Sequence, residues 1–164
     1  MQRTILWLIT ILLLVTTLSP ADAQYRRKKK KVRKTACQNY IAQGISGKIE
    51  FLEGNCMPGP GATGGSKKAV QRCIYVYKAR KPAEGESMGG FYPMTKEKAL
   101  FSGMSCKDGS YTIGLPEGYY SVFVLEDGKL YANGSDGEGF INPVRVEAGN
   151  LAKIDIRINY KAAY

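Results

Sequence analysis

The sequence predicts an all-β protein, an antiparallel β-sandwich of about seven strands, and three observations predict it. Apolar residues recur at every second position over several segments, which places alternate side chains on one face of a sheet. Turn-forming pairs built on glycine separate those segments at short intervals. The composition adds 19 Gly and 11 Tyr among 164 residues, residue types suited to tight turns and half-buried strands.

The clearest alternation is in LAKIDIRINY, where Ile154, Ile156, Ile158 and Tyr160 alternate with Lys153, Asp155, Arg157 and Asn159. A helix would smear those isoleucines around its circumference, whereas a strand collects them on one face. The same pattern places Ile45, Ile49 and Phe51 on one face with Gly47, and Val70, Ile74 and Val76 on one face of the next strand. Tyr111, Ile113 and Leu115 align, as do Tyr120, Val122 and Val124, and then Val144 and Val146. A further strand is expected near Ala99–Ser105. Turns are expected at Asp108-Gly109, Pro116-Glu117-Gly118, Asp127-Gly128, Asn133-Gly134, Asp136-Gly137 and Gly149-Asn150. Two stretches read as long loops, 57–66 and 81–92, and Thr95–Leu100 is the best, though short, helical candidate.

The chain divides into residues 1–23, 24–42 and 43–164. The first part reads as a signal peptide. Arg3 is followed by an apolar run of 14 residues, Ile5–Leu18, then by Pro20 and the small-x-small site Ala21-Asp22-Ala23. That run is short for a membrane span, which takes about 20 residues. Length, Pro20 and the A-D-A site favour cleavage before Gln24 and export to a periplasmic or extracellular space. The cations that follow the run would suit retention as a reversed anchor, because such charges tend to stay on the cytoplasmic side.

Those cations are Arg26, Arg27, Lys28, Lys29, Lys30, Lys31, Arg33 and Lys34, eight of nine consecutive residues. From Thr35 onward the chain holds 15 basic and 13 acidic residues, so the net charge of +10 belongs to the tail rather than to the domain. The tail cannot bury apolar area and reads as a spacer, or as an electrostatic tether to an anionic membrane surface. Each cation near such a surface is worth about 1 kcal/mol. Nucleic acid is not the expected partner, since export separates the two and no stacking aromatics interleave the run.

Cys37, Cys56, Cys73 and Cys106 all follow the signal segment, and an even number in an exported chain suggests two disulfides. Strand order favours Cys56–Cys73 together with Cys37–Cys106, with Cys56–Cys106 as the rival pairing. No C-x-x-C motif occurs and the sequence has no His, which excludes a zinc motif of that kind and any Ser-His-Asp or Cys-His nucleophile system. The Gly-rich GPGATGGSKK lacks phosphate-loop spacing. Asp127, Asn133, Asp136 and Glu138 read as solvated turn residues, and no cofactor, metal or enzymatic activity is expected. Tyr75, Tyr77, Tyr119 and Phe123 fall on the strand faces opposite the expected core and form a candidate ligand face, for a glycan or a protein of the cell envelope.

The run DGSYTIGLPEGYYSVFV, residues 108–124, resembles the D-G-x-[FY]-x-[IV]-x-L-P-x-G-x-Y-x-[VL]-x-V signature of carboxypeptidase regulatory-like domains. With the opening GISGKIEFLEGNCMPGPG and the closing GFINPVRVEAGNLAKIDIRINYKAAY, the likeness extends over roughly Gln43 to Tyr164 and is similar to small exported bacterial envelope proteins. The resemblance implies a transthyretin-like (prealbumin-like) sandwich of Ig-like character with an accessory, non-catalytic role. It implies no peptidase activity, because the zinc ligands of the catalytic domains are absent. The basic tail and the four cysteines lie outside the shared pattern.

Overall fold

A computed structural model describes residues 34–37, 41–57, 59, 64–83 and 85–164, with 34 and 35 described by their backbone alone. The signal segment and the basic residues Arg26–Arg33 lie outside the described residues. The described part is all-β, with no helix, including none over Thr95–Leu100. Accordingly no helix among the described residues is long and apolar enough to cross a membrane.

Twelve strands form two sheets: β1 Lys34–Thr35, β2 Gly44–Asn55, β3 Ser66–Ala69, β4 Cys73–Lys78, β5 Phe91–Tyr92, β6 Phe101–Met104, β7 Ser110–Gly114, β8 Gly118–Glu126, β9 Lys129–Tyr131, β10 Pro143–Val146, β11 Leu151–Lys153 and β12 Ile156–Ala163. The first sheet runs β1-β6-β4-β8-β9-β5, with β10 also paired to β8. The second is organised around β2, which pairs antiparallel with β7 and β3 and parallel with β11 and β12.

The expected alternating segments are strands over most of their length, except that Val70 lies outside β4, in the link from β3, where its N–H donates to Ile49 O. Ile45, Ile49, Ile74, Val76, Ile113, Val122, Val124, Ile156 and Ile158 are each at most 2% exposed and meet between the two sheets. Each such side chain contributes about 1.5–3 kcal/mol by leaving water. The Asp127-Gly128 turn closes the β8–β9 hairpin in two residues that both take positive φ, 48° and 77°. This is the backbone shape whose twist matches the flanking strands.

The structure departs from the sequence expectation in three places. The C-terminal strand is broken at Ile154-Asp155 into β11 and β12, because the Ile154 carbonyl turns away to accept the Tyr111 hydroxyl while Asp155 accepts the Lys48 N–H at 2.9 Å. The short strands β1, β3, β5 and β9 were not expected. The Cys56–Cys73 pairing does not form. β3 explains that absence: it folds back along β2, from Glu53 to Glu50, and carries the chain to the opposite end before Cys73 begins β4. Cys37 and Cys106 do form a disulfide, with Cα atoms 5.2 Å apart. It fastens the segment after β1 where Ala36, buried at 1% exposure, hydrogen-bonds to Met104 in one sheet and Thr112 in the other.

A second apolar cluster lies on the far face of the first sheet. Tyr77 and Phe123 project there from β4 and β8 and are covered by Tyr92, Leu130, Ala132 and Ile141. This cluster decides the fate of the aromatic face expected from the sequence.

Candidate functional site

The four aromatics singled out in the sequence do share the face opposite the core, but they do not form an open platform. Tyr77 is 2% exposed and Phe123 0%, and they meet edge to face at 5.9 Å under the covering loops. Tyr75 is half-buried against the same cluster. Tyr119 is half-buried at the other end, where its hydroxyl donates to Asp136 and its ring packs against Phe140 at 5.3 Å. That hydrogen bond pulls the Asp136 carboxyl below the usual carboxylate range and pushes the Tyr119 hydroxyl above the usual phenol range. Asp136 also accepts the N–H groups of Glu138 and Phe140, so its oxygens close a turn rather than await a cation. Among the described residues no group of three His, Cys, Asp or Glu side chains converges as a metal would require.

The open aromatic site is elsewhere. A cleft of about 740 Å³ lies where β5 and β9 of the first sheet approach β12 of the second. Its wall is a cluster of rings. Phe91 stands 5.0 Å from both Tyr131 and Tyr160, which are 5.6 Å from each other, all with inclined planes. Such edge-on contacts add about 0.5–1.5 kcal/mol per pair beyond burial and hold the rings rigid. Tyr131 is fully buried, Phe91 and Tyr160 are half-buried, and Tyr164 is 66% exposed at the rim.

A chain of amides and hydroxyls runs beside the rings. Asn159 Oδ1 accepts Tyr131 OH at 2.8 Å and Asn133 Nδ2 at 2.7 Å, while its Nδ2 donates to Tyr164 OH at 3.2 Å. Asn159 is thereby fixed in one orientation, and it aligns Asn133 with the ring wall. Among the described residues, Asn133 Oδ1 and the Ser135 hydroxyl take no partner in this network, and both face a site that needs no desolvation of charge. None of the cleft's lining side chains is ionisable in the neutral range: they are aromatic, aliphatic, thioether, amide, hydroxyl and glycine. Carboxylate-driven chemistry, such as the paired acids of glycoside hydrolysis, has no side chain to perform it there.

Behind the wall, Tyr160 OH donates to Glu126 Oε2 at 3.1 Å, and Glu126 is ion-paired with Arg72. Burial, and then the charge and hydrogen bond of Glu126, push the Tyr160 phenol up to about 12. The unfolded chain loses this proton near the ordinary tyrosine value of about 10. The folded-state preference for the neutral ring is therefore fully present below about pH 10 and lost as pH rises toward 12. The urea midpoint is expected to fall across that window, and Tyr160→Phe to flatten the fall; an identical pH profile for the variant would show that Tyr160 does not carry it.

The sequence contained a single local sign of this cleft. Tyr131 and Asn159 lie 28 positions apart and in different sheets, and Tyr160 read simply as the last apolar residue of an alternating strand. The one local signal was Asn133-Gly134-Ser135, a polar turn that could have been set against the tyrosines only once the two sheets were placed. The chain matches no family model, no curated protein and no solved structure.

Proposed function

We propose that the protein is an exported, non-catalytic binding module of the bacterial cell envelope, and that its ligand is a neutral glycan held in the Phe91–Tyr131–Tyr160–Tyr164 cleft. The observation that carries this reading is a rigid ring wall beside fixed amides in a cleft without charge. Sugars present apolar C–H faces that pack on aromatic rings and hydroxyls that exchange hydrogen bonds with amides. An uncharged lining selects against phosphorylated or carboxylated ligands, because they would lose hydration without gaining a counter-charge. Export is supported by the signal-like N-terminal segment and by the Cys37–Cys106 disulfide, which belongs to oxidising compartments. The resemblance of residues 108–124 to an accessory domain type agrees with a binding role and not with catalysis.

Screening on an array of neutral and charged glycans tests this. Binding is expected among the neutral members, with Tyr164→Ala combined with Asn133→Ala weakening it by about tenfold or more, the equivalent of about 1.4 kcal/mol. Both residues are exposed, so the thermal midpoint is expected to stay within a few degrees. Absence of neutral-glycan binding, or binding indifferent to the double substitution, would overturn the reading.

A further inference from the structure

The outward face of the second sheet carries a second concavity, a groove of about 500 Å³ crossing β11, β2, β7 and β12 and reaching β3. Strand alternation sets its chemistry: with Ile45 and Ile49 turned to the core, Ser46, Lys48 and Glu50 of β2 point outward.

The strand registers then place one cation in each successive outward row. Lys153 lies opposite Ser46, Lys48 occupies the next row beside Ser110, Arg157 lies opposite Glu50, and Lys67 lies opposite Leu52. Rows two residues apart on a strand are separated by about 7 Å, so the four cations step along β2 over roughly 20 Å. Two carboxylates offset part of this charge: Glu50 pairs with Lys67 at 2.8 Å and Asp155 with Lys153 at 3.3 Å. Among the described residues Lys48 and Arg157, both exposed, enter no ion pair. The hydroxyls of Ser46, Ser110 and Thr112 line the same groove.

We infer that this groove is a binding site for a linear anionic polysaccharide, a second site whose chemistry is opposite to that of the neutral cleft and which does not depend on it. A row of cations at regular spacing in a concave track matches a chain that repeats its negative groups along its length, and the hydroxyls match the sugars between them. The groove's single aromatic, Tyr111, is buried at 2% exposure, so it offers no platform for stacked bases, which single-stranded nucleic acid would require. Nor does the groove present a large exposed apolar side chain for insertion into a bilayer.

The probe is dextran sulfate, with uncharged dextran, oligo-dT and phosphatidylglycerol vesicles alongside. The intact chain is used with its basic residues between 26 and 33 replaced by Gln throughout, so that the tail does not mask the groove. Lys48→Gln with Arg157→Gln is expected to weaken dextran sulfate binding about tenfold and to lower the slope of log affinity against log salt by about 1.5, two contacts' worth. Lys98→Gln with Lys129→Gln, the same charge change away from the groove, is expected to stay within about twofold. Glu50→Gln, which releases Lys67, is expected to tighten binding several-fold, and it decides the matter if the double variant fails to fold. Equal losses from the two double variants, no response to Glu50→Gln, or a Lys48/Arg157 dependence seen only with vesicles or oligo-dT would each overturn the inference.

Discussion

Gly47→Ala is expected to destabilise the fold by about 3–5 kcal/mol and to lower the thermal midpoint by roughly 10 °C or more. A Cβ at this position would lie 1.9 Å from the Ile154 carbonyl oxygen and 2.7 Å from its carbon, and both are backbone atoms that cannot rotate aside. The joint between β11 and β12 would have to move away from β2. That movement would cost the hydrogen bond that Ile154 O accepts from Tyr111 OH, and Tyr111 is only 2% exposed, so its hydroxyl would be left unpaired in the interior. Burial pushes the Tyr111 phenol far above its ordinary range, which reflects how far its hydroxyl is from water. In a Tyr111→Phe background there is no hydroxyl left to orphan, so the added cost of Gly47→Ala should be smaller than in the parent. Gly137→Ala, where nothing lies within 4 Å of the new carbon, is the control and should change stability by a few tenths of a kcal/mol. Chemical unfolding of the five proteins checks this, and a Gly47→Ala variant as stable as Gly137→Ala would refute it.

Gly47 also marks where the sequence ceased to be legible. Its place among Ile45, Ile49 and Phe51 on an inward face could be read from alternation, but not that it is small because a carbonyl from residue 154 approaches it. For that reason the break between β11 and β12 was invisible in LAKIDIRINY, which alternates without a flaw. Alternation found every strand that buries apolar side chains at alternate positions, and so missed β9, whose buried Leu130 and Tyr131 are neighbours. It missed β3, whose four residues are all exposed, and β1 and β5, which have two residues each and are defined by what they pair with. Parity placed Tyr75, Tyr77, Tyr119 and Phe123 on the correct side of the first sheet, yet parity carries no information about what covers a face. Tyr92 of β5 and Ile141 of the segment between β9 and β10 close over Tyr77 and Phe123. The aromatic cleft is the converse: Tyr160 read as part of an apolar strand face, while Phe91 and Tyr131 come from β5 and β9, which no alternation marked. Three of the four groove cations were present in the sequence as the polar half of two alternating segments, Lys48 in one and Lys153 and Arg157 in the other, but the regular spacing with Lys67 follows from registers that no single strand encodes.

Arg72→Met is expected to destabilise the protein by about 3 kcal/mol at pH 7. Glu126 ends β8 at 5% exposure, and its two oxygens are held by Arg72 Nε and by Tyr160 OH at 3.1 Å. Breaking a buried pair by removing one partner typically costs about 3–5 kcal/mol, because the remaining charge is stranded. The low end applies here because the Arg72 side chain is 32% exposed. Replacing both partners, Arg72→Met with Glu126→Leu, should cost much less than the two single changes added together, since no charge is left behind. The consequence reaches the cleft: Glu126 anchors the hydroxyl of Tyr160, the ring that contacts both Phe91 and Tyr131, so the double variant should keep its stability while loosening the ring wall. Urea unfolding at pH 7, with glycan binding measured on the same samples, separates the two effects. An Arg72→Met variant as stable as the parent, or a double change as costly as the two single changes added together, would mean that Arg72 does not hold the Glu126 charge in place.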